Sequence, residues 1–424
     1  MKKFLLHFAI ATALASCTIV SHESKSSESV AHLKTDVSIL ASDEFEGRAI
    51  GTPGADKAAG YIQDQFLQIG LLPKGTVGFF QAFSFIPQGH GQVHQVGDSL
   101  KMGKSLVKEI NGKNVIGYIN NNATNTIIIG AHYDHLGYGD ENSLWTGDRA
   151  IHNGADDNAS GVSAMLELAR KLKADNSSST NKYNYLFIAF SGEEKGLWGS
   201  NYFCKNPTLD LSTVNCMMNM DMVGRLNAEH ALSISGTGTS PEFENWLTKN
   251  NTTNFKLLFD KSGIGPSDHS SFYNVNIPVL HFFTGQHSDY HKPSDDFDKI
   301  NYEGLNEVVN YMYAMCVEMN AHSKLEFTKT IDPKPTNSAF KVTLGVMPDY
   351  MFSGVGMRID GVKENRPAAL AGLKQGDIVV RLGENKIADM SSYMEALGKF
   401  NEGDSTEVEF IRDGKSIVSP VTFK

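Results

Sequence analysis

The sequence predicts an α/β fold, with a doubly wound, mostly parallel sheet sandwiched by helices and a small C-terminal α+β domain. Apolar runs of strand length alternate with stretches in which apolar residues recur at helical spacing. The clearest run, residues 185–190, is apolar almost without interruption, which is typical of a strand buried on both faces. Polar residues collect directly after several runs, where open α/β sheets usually bind their ligands.

Length and charge limit the classes of function. The chain has 424 residues, 41% of them hydrophobic, so it can form two domains with full cores. Its formal net charge of −10 argues against nucleic acid or an anionic membrane surface as a partner. Because residues 332–338 are rich in proline and polar residues, we expect a main domain at 34–325, a linker at 326–342 and a C-terminal domain at 343–424.

The first residues predict export. A basic start, an apolar stretch and small residues make residues 1–16 a signal peptide that is too short to span a membrane as a stable helix. The sequence LASC, ending at Cys17, resembles a bacterial lipobox, with simple cleavage as the alternative. Cys17 would then carry a lipid, and the Ser-rich residues 17–33 would be a tether. We therefore expect a lipid-anchored protein of the bacterial cell envelope, periplasmic or on the outer-membrane surface, whose only membrane contact is this lipid.

Three further cysteines follow Cys17, and an odd number does not suit a disulfide framework. Buried free thiols and a Cys204–Cys216 disulfide both remain open.

The elements of the main domain follow from local patterns. Helical spacing occurs on both sides of a Gly- and Pro-rich turn at residues 47–54. Ser240 and Pro241 suit the N-cap and the first position of a helix. The expected strands are 114–118, 126–130, 185–190, 213–220, 230–235 and 277–283, and the expected helices lie within 34–72 and at 162–172, 198–204, 241–249, 265–272 and 302–321.

A histidine and an aspartate follow the strand at 126–130. His132 stands at its end, and Asp134 lies two residues on, on the same face if the strand geometry persists. Imidazole is a common zinc ligand, and its second ring nitrogen usually needs a partner such as a carboxylate.

An acidic cluster, GADDNASG at residues 154–161, opens the next helix. Asp, Asn and Ser all favour the N-cap position. Because one residue suffices for a cap, Asp156 and Asp157 leave a surplus carboxylate.

Two adjacent carboxylates, Glu193 and Glu194, follow the strand at 185–190. A solvated turn would explain them if they stood alone. The alternative is a division of labour, in which one carboxylate binds a metal and the other moves protons.

Taken together, these residues predict a catalytic metal site. A mixed set of histidines and carboxylates with few thiols is typical of a water-accessible catalytic zinc rather than a closed structural one. Five ligands exceed the needs of one tetrahedral zinc, but fit two ions about 3.5–4 Å apart if a carboxylate bridges them. Asp221 follows the strand at 213–220, and His291 lies after the strand at 277–283. The five candidates are His132, Asp157, Glu194, Asp221 and His291.

From about residue 42 to residue 300 the chain resembles the zinc aminopeptidases of the M28 peptidase family. The resemblance lies in HYD at His132, GADDNASG, GEEKGLWGS at Gly192, NMDMVG at Asn219 and DYHKPSDD at Asp289. It implies two zinc ions bound by the five candidates, with Asp157 as the bridging carboxylate.

The same resemblance implies catalytic roles. Glu193 would be the general base, Asp134 would orient His132, and Tyr290 would support the oxyanion. Asp268 falls in an SDHSSF stretch that resembles a pocket-lining segment of the family.

The C-terminal domain, from about residue 343 to residue 424, resembles a PDZ domain of the bacterial periplasmic-protease type. Backbone N–H groups of the loop Gly354, Val355, Gly356 and Met357 would hold a terminal carboxylate, with a peptide added as a strand. The alternative is that this domain only packs on the peptidase.

The resulting hypothesis is a two-zinc aminopeptidase acting on peptides, with a PDZ domain for peptide binding or positioning. Glutaminyl cyclisation on the same scaffold, carboxypeptidase or dipeptidase action, and a non-catalytic receptor are the alternatives. The GEEKGLWGS motif resembles the hydrolases, and the complete ligand set argues against a receptor.

Overall fold

The computed structural model describes residues 26–85, 109–139, 142–175, 177–330, 342–348, 352, 354–362 and 366–423. The predicted signal peptide, Cys17 and most of the predicted linker lie outside these residues. Within the described part of the chain, no helix has the length and apolar character needed to cross a membrane.

Nine strands form the sheet of the main domain. They are β1 (Leu72–Pro73), β2 (Phe80–Phe85), β3 (Ile110–Ile119), β4 (Asn125–His132), β5 (Tyr183–Phe190), β6 (Val214–Met220), β7 (Ala231–Ser235), β8 (Lys256–Asp260) and β9 (Val279–Phe283). Their order is β1-β3-β5-β4-β6-β9-β7-β8, with β2 paired to β3.

The sheet is parallel at its centre and mixed at its edges. Strands β5, β4, β6 and β9 run parallel, whereas β3 and β7 are antiparallel to their inner neighbours. A parallel pair needs a long crossover connection, and only residues 120–124 join β3 to β4, so β3 runs in the opposite direction. The predicted doubly wound α/β fold is confirmed, and its parallel part is the central one.

Helices cover both faces of this sheet. They are α1 (residues 26–40), α2 (Pro53–Ile69), α3 (Gly161–Ala174), α4 (Trp198–Lys205), α5 (Phe243–Lys249), α6 (His269–Tyr273) and α7 (Tyr302–Asn320). One core contains side chains of α2, α3, α5 and α7, and the other contains Phe203 and Phe272 of α4 and α6. Every residue of β5 is buried, as predicted for a strand covered on both sides.

The N-terminal helix differs from the predicted tether. Residues 26–33, which we assigned to the tether, are helical, and Ser29 and Leu33 are buried against the main domain. The Ser29 hydroxyl donates to Glu167 Oε1 at 2.6 Å. The apolar positions Leu33, Val37 and Leu40 fall on one helix face, which explains the packing.

Two elements of the main domain differ from the local patterns. Helix α5 begins at Phe243, so the prediction of an N-cap at Ser240 is wrong. Strand β8 was not predicted. It is a short strand at the edge of the sheet, and all of its residues are exposed or half-buried. All three described cysteines, Cys204, Cys216 and Cys316, are free thiols.

The C-terminal domain has its own antiparallel sheet and core. Its strands are β10 (Val346–Pro348), β11 (Met357–Val362), β12 (Ile378–Leu382), β13 (Asn385–Lys386), β14 (Ser405–Arg412) and β15 (Lys415–Thr422), and its helices are α8 (Pro367–Leu370) and α9 (Met390–Leu397). A separate cluster that includes Ile359, Val379 and Phe410 fills its interior. The predicted α+β domain is confirmed.

Candidate active site

The carboxyl ends of four neighbouring strands deliver most of the predicted site residues. His132 is the last residue of β4, and it lies opposite Phe190, the last residue of β5. Glu193 follows three residues later, and Asp221 directly follows β6. His291 lies in the loop after β9. Because these strands are adjacent, their ends bring residues that are far apart in sequence to one edge of the sheet.

Asp157 stands at the centre of the cluster. Its Oδ1 lies 3.3 Å from His132 Nε2, and its Oδ2 lies 3.2 Å from His291 Nε2. The two oxygens of one carboxylate therefore face two different histidines, the arrangement that a bridging carboxylate requires.

The remaining predicted ligands divide between the two sides of Asp157. On the first side, Asp221 Oδ1 lies 3.3 Å from His132 Nε2. On the second, Glu194 Oε2 lies 3.4 Å from His291 Nε2. All five predicted ligands are thus brought together.

The structure adds a histidine that we did not assign. His135 Nδ1 lies 2.7 Å from Glu194 Oε1 and 3.8 Å from Asp157 Oδ2. Its side chain is fully buried, and its Nε2 has no hydrogen-bond partner among the described residues. The signal was present in the sequence, because His135 directly follows Asp134 in the HYDH stretch.

The cluster fits divalent metal ions. Two sets of three ligand atoms, each set within 4.8 Å, can hold an ion: His132, Asp157 and Asp221, and His135, Asp157 and Glu194. His291 approaches the two carboxylates of the second set, so that side offers two imidazoles. Imidazole with carboxylate is a donor set that zinc accepts, and the absence of a thiolate is typical of a catalytic site.

Glu193 lies beside this cluster rather than within either set. Its Oε2 is 4.0 Å from His132 Nε2, and its side chain retains 11% exposure. Burial raises the pKa of Glu193 well above its usual value; His132 opposes this shift, while Asp221 and Glu194 add to it. A carboxylate with a raised pKa and access to solvent suits a general base.

Asp134 acts on Glu193 more directly than on His132. Its Oδ1 accepts the backbone N–H of Glu193 at 3.1 Å. His132 Nδ1 lies 3.1 Å from the backbone oxygen of Asp134 but 3.9 Å from its carboxylate. The orienting contact for the histidine thus comes from the main chain of the predicted residue.

Tyr290 stacks on a predicted ligand. Its ring lies on that of His291, with the centroids 3.8 Å apart and the planes inclined by 20°. His291 Nδ1 contacts the backbone oxygen of Asn142 at 2.8 Å, which fixes the ring from its other side. Orienting partners of this kind are usual for histidines that bind metals.

A fully buried arginine holds the loops of the cluster together. The Arg48 guanidinium donates to four backbone oxygens: those of Leu40 and Asn153 at 2.6 Å, Tyr133 at 2.8 Å and Gly154 at 2.9 Å. Burial lowers the pKa of Arg48 to about 10. Arg48 joins the end of α1 to the segments that carry His132 and Asp157, a role that we did not predict.

Asp295 supports the same turn from the opposite side. Its carboxylate accepts the backbone N–H groups of Asp156 and Asp157 at 3.0–3.1 Å. The Asp156 carboxylate in turn accepts the N–H of Gly224 at 2.7 Å, three residues after Asp221. The acidic cluster therefore ties its own ligands to the neighbouring strand end, which accounts for the surplus acid that an N-cap did not explain.

Asp268 is buried next to the cluster. Burial raises its pKa to about 7; His132 and Ser200 oppose this shift, whereas Asp134 and Asp221 add to it. The next residue, His269, stacks on His281 with ring centroids 4.5 Å apart. Charges of the ligand cluster thus shift the pKa of Asp268, as expected if this side chain lies in the wall of the site.

The predicted carboxylate-binding loop of the C-terminal domain precedes β11. Val355 is 70% exposed, and Gly356 has φ +108°. The Gly356 N–H already donates to the Ala388 oxygen at 2.8 Å, so this group is occupied. Met357 pairs with Val379 in the sheet.

Comparison with known families agrees with this architecture. Residues 114–316 match Peptidase family M28, and residues 325–420 match the PDZ domain family. We refer to residues 114–316 as the M28 domain and to residues 325–420 as the PDZ domain, after the families that they match.

Individual relatives are more distant. Aminopeptidase YwaD of Bacillus subtilis is 30% identical over 217 residues, which cover 48% of this chain and 43% of YwaD. The chain thus spans less than half the length of that relative. A zinc aminopeptidase structure from Bacillus subtilis superposes with a TM-score of 0.51 at 18% identity, covering 70% of this chain and 95% of the other.

Glutaminyl cyclase of Porphyromonas gingivalis shares the fold to the same degree. Its structure gives a TM-score of 0.52 at 17% identity and covers 68% of this chain and 97% of the other. These two structures together establish the fold of the M28 domain.

Proposed function

We propose that the M28 domain is a two-zinc aminopeptidase that removes residues from the N-terminus of peptides. The placement of Asp157, with one oxygen toward His132 and Asp221 and the other toward His291 and Glu194, carries this proposal. The named activity of YwaD supports it.

Glu193, Asp134 and Tyr290 would each have a separate role in peptide hydrolysis. Bound zinc would lower the pKa of a water molecule and polarise the carbonyl of the scissile bond. Glu193 takes a proton from the attacking water and returns it to the leaving amine. Asp134 holds the backbone of Glu193 in place through its N–H. Tyr290 hydrogen-bonds the oxyanion that forms on the substrate.

The acidic character of the site favours substrates with a free α-amine. Glu193 and Asp221 retain 11% and 14% side-chain exposure, so a positively charged α-amine could approach these two carboxylates at the edge of the cluster.

Metal analysis combined with a substrate panel tests this proposal. We expect two zinc ions per chain and hydrolysis of aminoacyl anilides with a free amine, while N-acetylated versions remain intact. One zinc per chain, together with cyclisation of N-terminal glutamine and no anilide hydrolysis, would instead assign the activity of the glutaminyl cyclases that share this fold.

Two further parts of the proposal concern the ends of the chain. We propose that the PDZ domain binds peptide C-termini rather than only packing on the peptidase. Titration of the isolated domain with C-terminal peptides tests this binding.

We also propose that Cys17 carries a lipid that anchors the protein in the cell envelope. Loss of membrane association in Cys17→Ser tests this anchor.

A further inference from the structure

A cationic cavity lies beside the ligand cluster. It has a volume of about 460 Å³ and is lined by the loops after β6 and β9 and by Arg358 of β11 in the PDZ domain. Arg225, His287 and Lys299 also line it, and none of the described lining residues is acidic.

Two cations of this cavity, Arg225 and Lys299, contact a single carboxylate. Arg225 Nη2 lies 3.1 Å from Asp289 Oδ2, and Lys299 Nζ lies 2.7 Å from the other oxygen of the same carboxylate. Two cations thus share one acid. Arg225 Nη1 is buried and has no hydrogen-bond partner among the described residues. Because a buried donor without an acceptor is costly, an anion in the cavity would be stabilised there.

The cavity is joined to the ligand cluster by short stretches of chain. Arg225 follows Asp221 by four residues, a distance of at most about 14 Å in an extended chain. His287 Nε2 lies 3.1 Å from Asp156 Oδ2, next to Asp157. The Thr284 hydroxyl donates to the Met222 oxygen at 2.8 Å and joins the two loops.

We propose that this cavity binds an anion, namely the C-terminal carboxylate of a short peptide whose scissile bond lies at the ligand cluster. The proposal rests on the peptidase function proposed above. Guanidinium groups bind carboxylates through paired hydrogen bonds. Arg225 and Arg358 provide two guanidinium groups in this cavity.

The short stretch from Asp221 to Arg225 limits the length of the substrate. The cavity residue Arg225 lies at most about 14 Å along the chain from Asp221, which is the length of about four extended peptide residues. Short peptides with both termini free would therefore be preferred. The PDZ domain would contribute Arg358 to substrate binding, a role separate from that of its Gly354–Met357 loop.

A pair of peptides that differ at one end tests the proposal. The zinc-loaded full chain is given a tripeptide with a free C-terminus and the same tripeptide as its amide. We expect kcat/KM to be at least about tenfold higher for the free acid, as for a charge-assisted contact. In Arg358→Gln the ratio should fall to within about threefold of unity, and Arg358→Lys should retain part of it.

Arg381→Gln provides the matched control. It removes the same charge from the PDZ domain, but Arg381 pairs with Glu409 at 2.9 Å and is not among the cavity residues. It should retain the wild-type ratio. Arg358 is exposed, but its guanidinium lies 5.0 Å from the centroid of the Phe352 ring, so the thermal unfolding temperature of Arg358→Gln is measured to verify that the variant is folded at the assay temperature.

Equal rates for the two peptides in the wild type, or an unchanged ratio in Arg358→Gln, would overturn the carboxylate assignment. Inorganic phosphate separates a carboxylate site from a general anion site. A rise in unfolding temperature with phosphate, lost in Arg358→Gln, supports an anion site even if neither peptide is cleaved, in which case only the proposed function fails. No phosphate effect and no preference for the free acid would remove the site altogether.

Discussion

The loops after β6 and β9 each serve two regions of opposite charge. Asp221 and His291 belong to the acidic ligand cluster, whereas Arg225 and His287 line the cationic cavity. In each loop the two residues are four positions apart. The same strand ends therefore position both regions.

Under the proposals above, this contrast would match the two ends of a peptide. An α-amine carries positive charge and a C-terminal carboxylate carries negative charge, so neighbouring acidic and cationic regions would recognise both termini. The cluster is also rigidly supported from within the peptidase domain by Arg48 and Asp295. The cavity depends on a residue from the other domain, Arg358. Changes in the cluster should therefore reduce catalysis or metal binding, and changes in the cavity should alter selectivity.

The largest expected effect separates two adjacent residues of the cluster. Glu193→Gln should lower kcat by about 10³-fold or more while both zinc ions remain bound, because a general base is lost. Glu194→Gln should instead lose metal, since its carboxylate faces His291 and His135. Steady-state kinetics and metal analysis on the same samples check both. A Glu193→Gln enzyme with more than a tenth of wild-type turnover would contradict the assignment.

Removing the buried arginine should damage the cluster without affecting the cavity directly. Arg48→Met leaves four backbone oxygens without their donor, and we expect a loss of about 3–5 kcal/mol in the free energy of unfolding. Urea denaturation of the metal-free protein measures it. Lys57→Met is the control, because within the described part of the chain Lys57 donates to a single backbone oxygen, that of Glu44, at the surface. Equal stability of the two variants would show that Arg48 does not hold the loops.

Two histidines, His291 and His135, lie near Asp157 Oδ2, and their substitution should change zinc affinity to different degrees. His291→Ala should lose one zinc equivalent. His135→Ala should weaken the same ion by about 10–100-fold, as is typical when a partner of a ligand is removed. Chelator competition gives both affinities. His230→Ala is the control, because His230 contacts Glu307 and Phe255 and belongs to neither set of ligand atoms. Unchanged zinc affinity in His135→Ala would exclude His135 from this half of the site.

Site residues could be predicted from the sequence where neighbouring residues form a recognisable pattern, and not where the residues meet only in the folded structure. The five ligand candidates could be predicted because four of them follow an apolar strand and Asp157 opens a helix, and parallel strands bring their ends together. The role of Glu193 as the base came from the resemblance to the M28 family. Arg48 lies in a Gly- and Pro-rich turn, where a buried cation has no sequence pattern. Arg225 and Arg358 are 133 residues apart and in different domains, so only the tertiary structure shows that they share a cavity.

The antiparallel edges of the sheet were missed for a related physical reason. Local periodicity reports which residues are buried but not the direction of a strand. Strand β3 is apolar enough to resemble a parallel strand, and its direction follows from the length of residues 120–124. Strand β8 has no buried face at all. The sequence pattern thus predicted the centre of the sheet, where the site lies, better than its edges.

The smallest expected effect is a pH-dependent change in the free energy of unfolding when Asp268, which is buried beside the cluster, is substituted. Its pKa in the folded protein is about 7, against 3.8 for an ordinary Asp, because of burial above all. A carboxyl with a raised pKa binds its proton more tightly in the folded state, so it destabilises the protein increasingly as pH rises from about 4 to 7. Asp268→Asn should therefore stabilise the metal-free protein more at pH 8 than at pH 5, by about 1.4 kcal/mol for each pH unit crossed within that range.

Asp175→Asn gives the opposite sign and serves as the control. Although desolvation opposes it, hydrogen bonds from Ser177, Thr180 and Tyr313 lower the pKa of Asp175. Its contribution is already complete above pH 4, so this variant should be destabilised equally at pH 5 and pH 8. Urea denaturation at the two pH values measures both variants. If the Asp268→Asn difference did not change with pH, Asp268 would be ionised at little cost, and the acidic side of the comparison between cluster and cavity would lose this support.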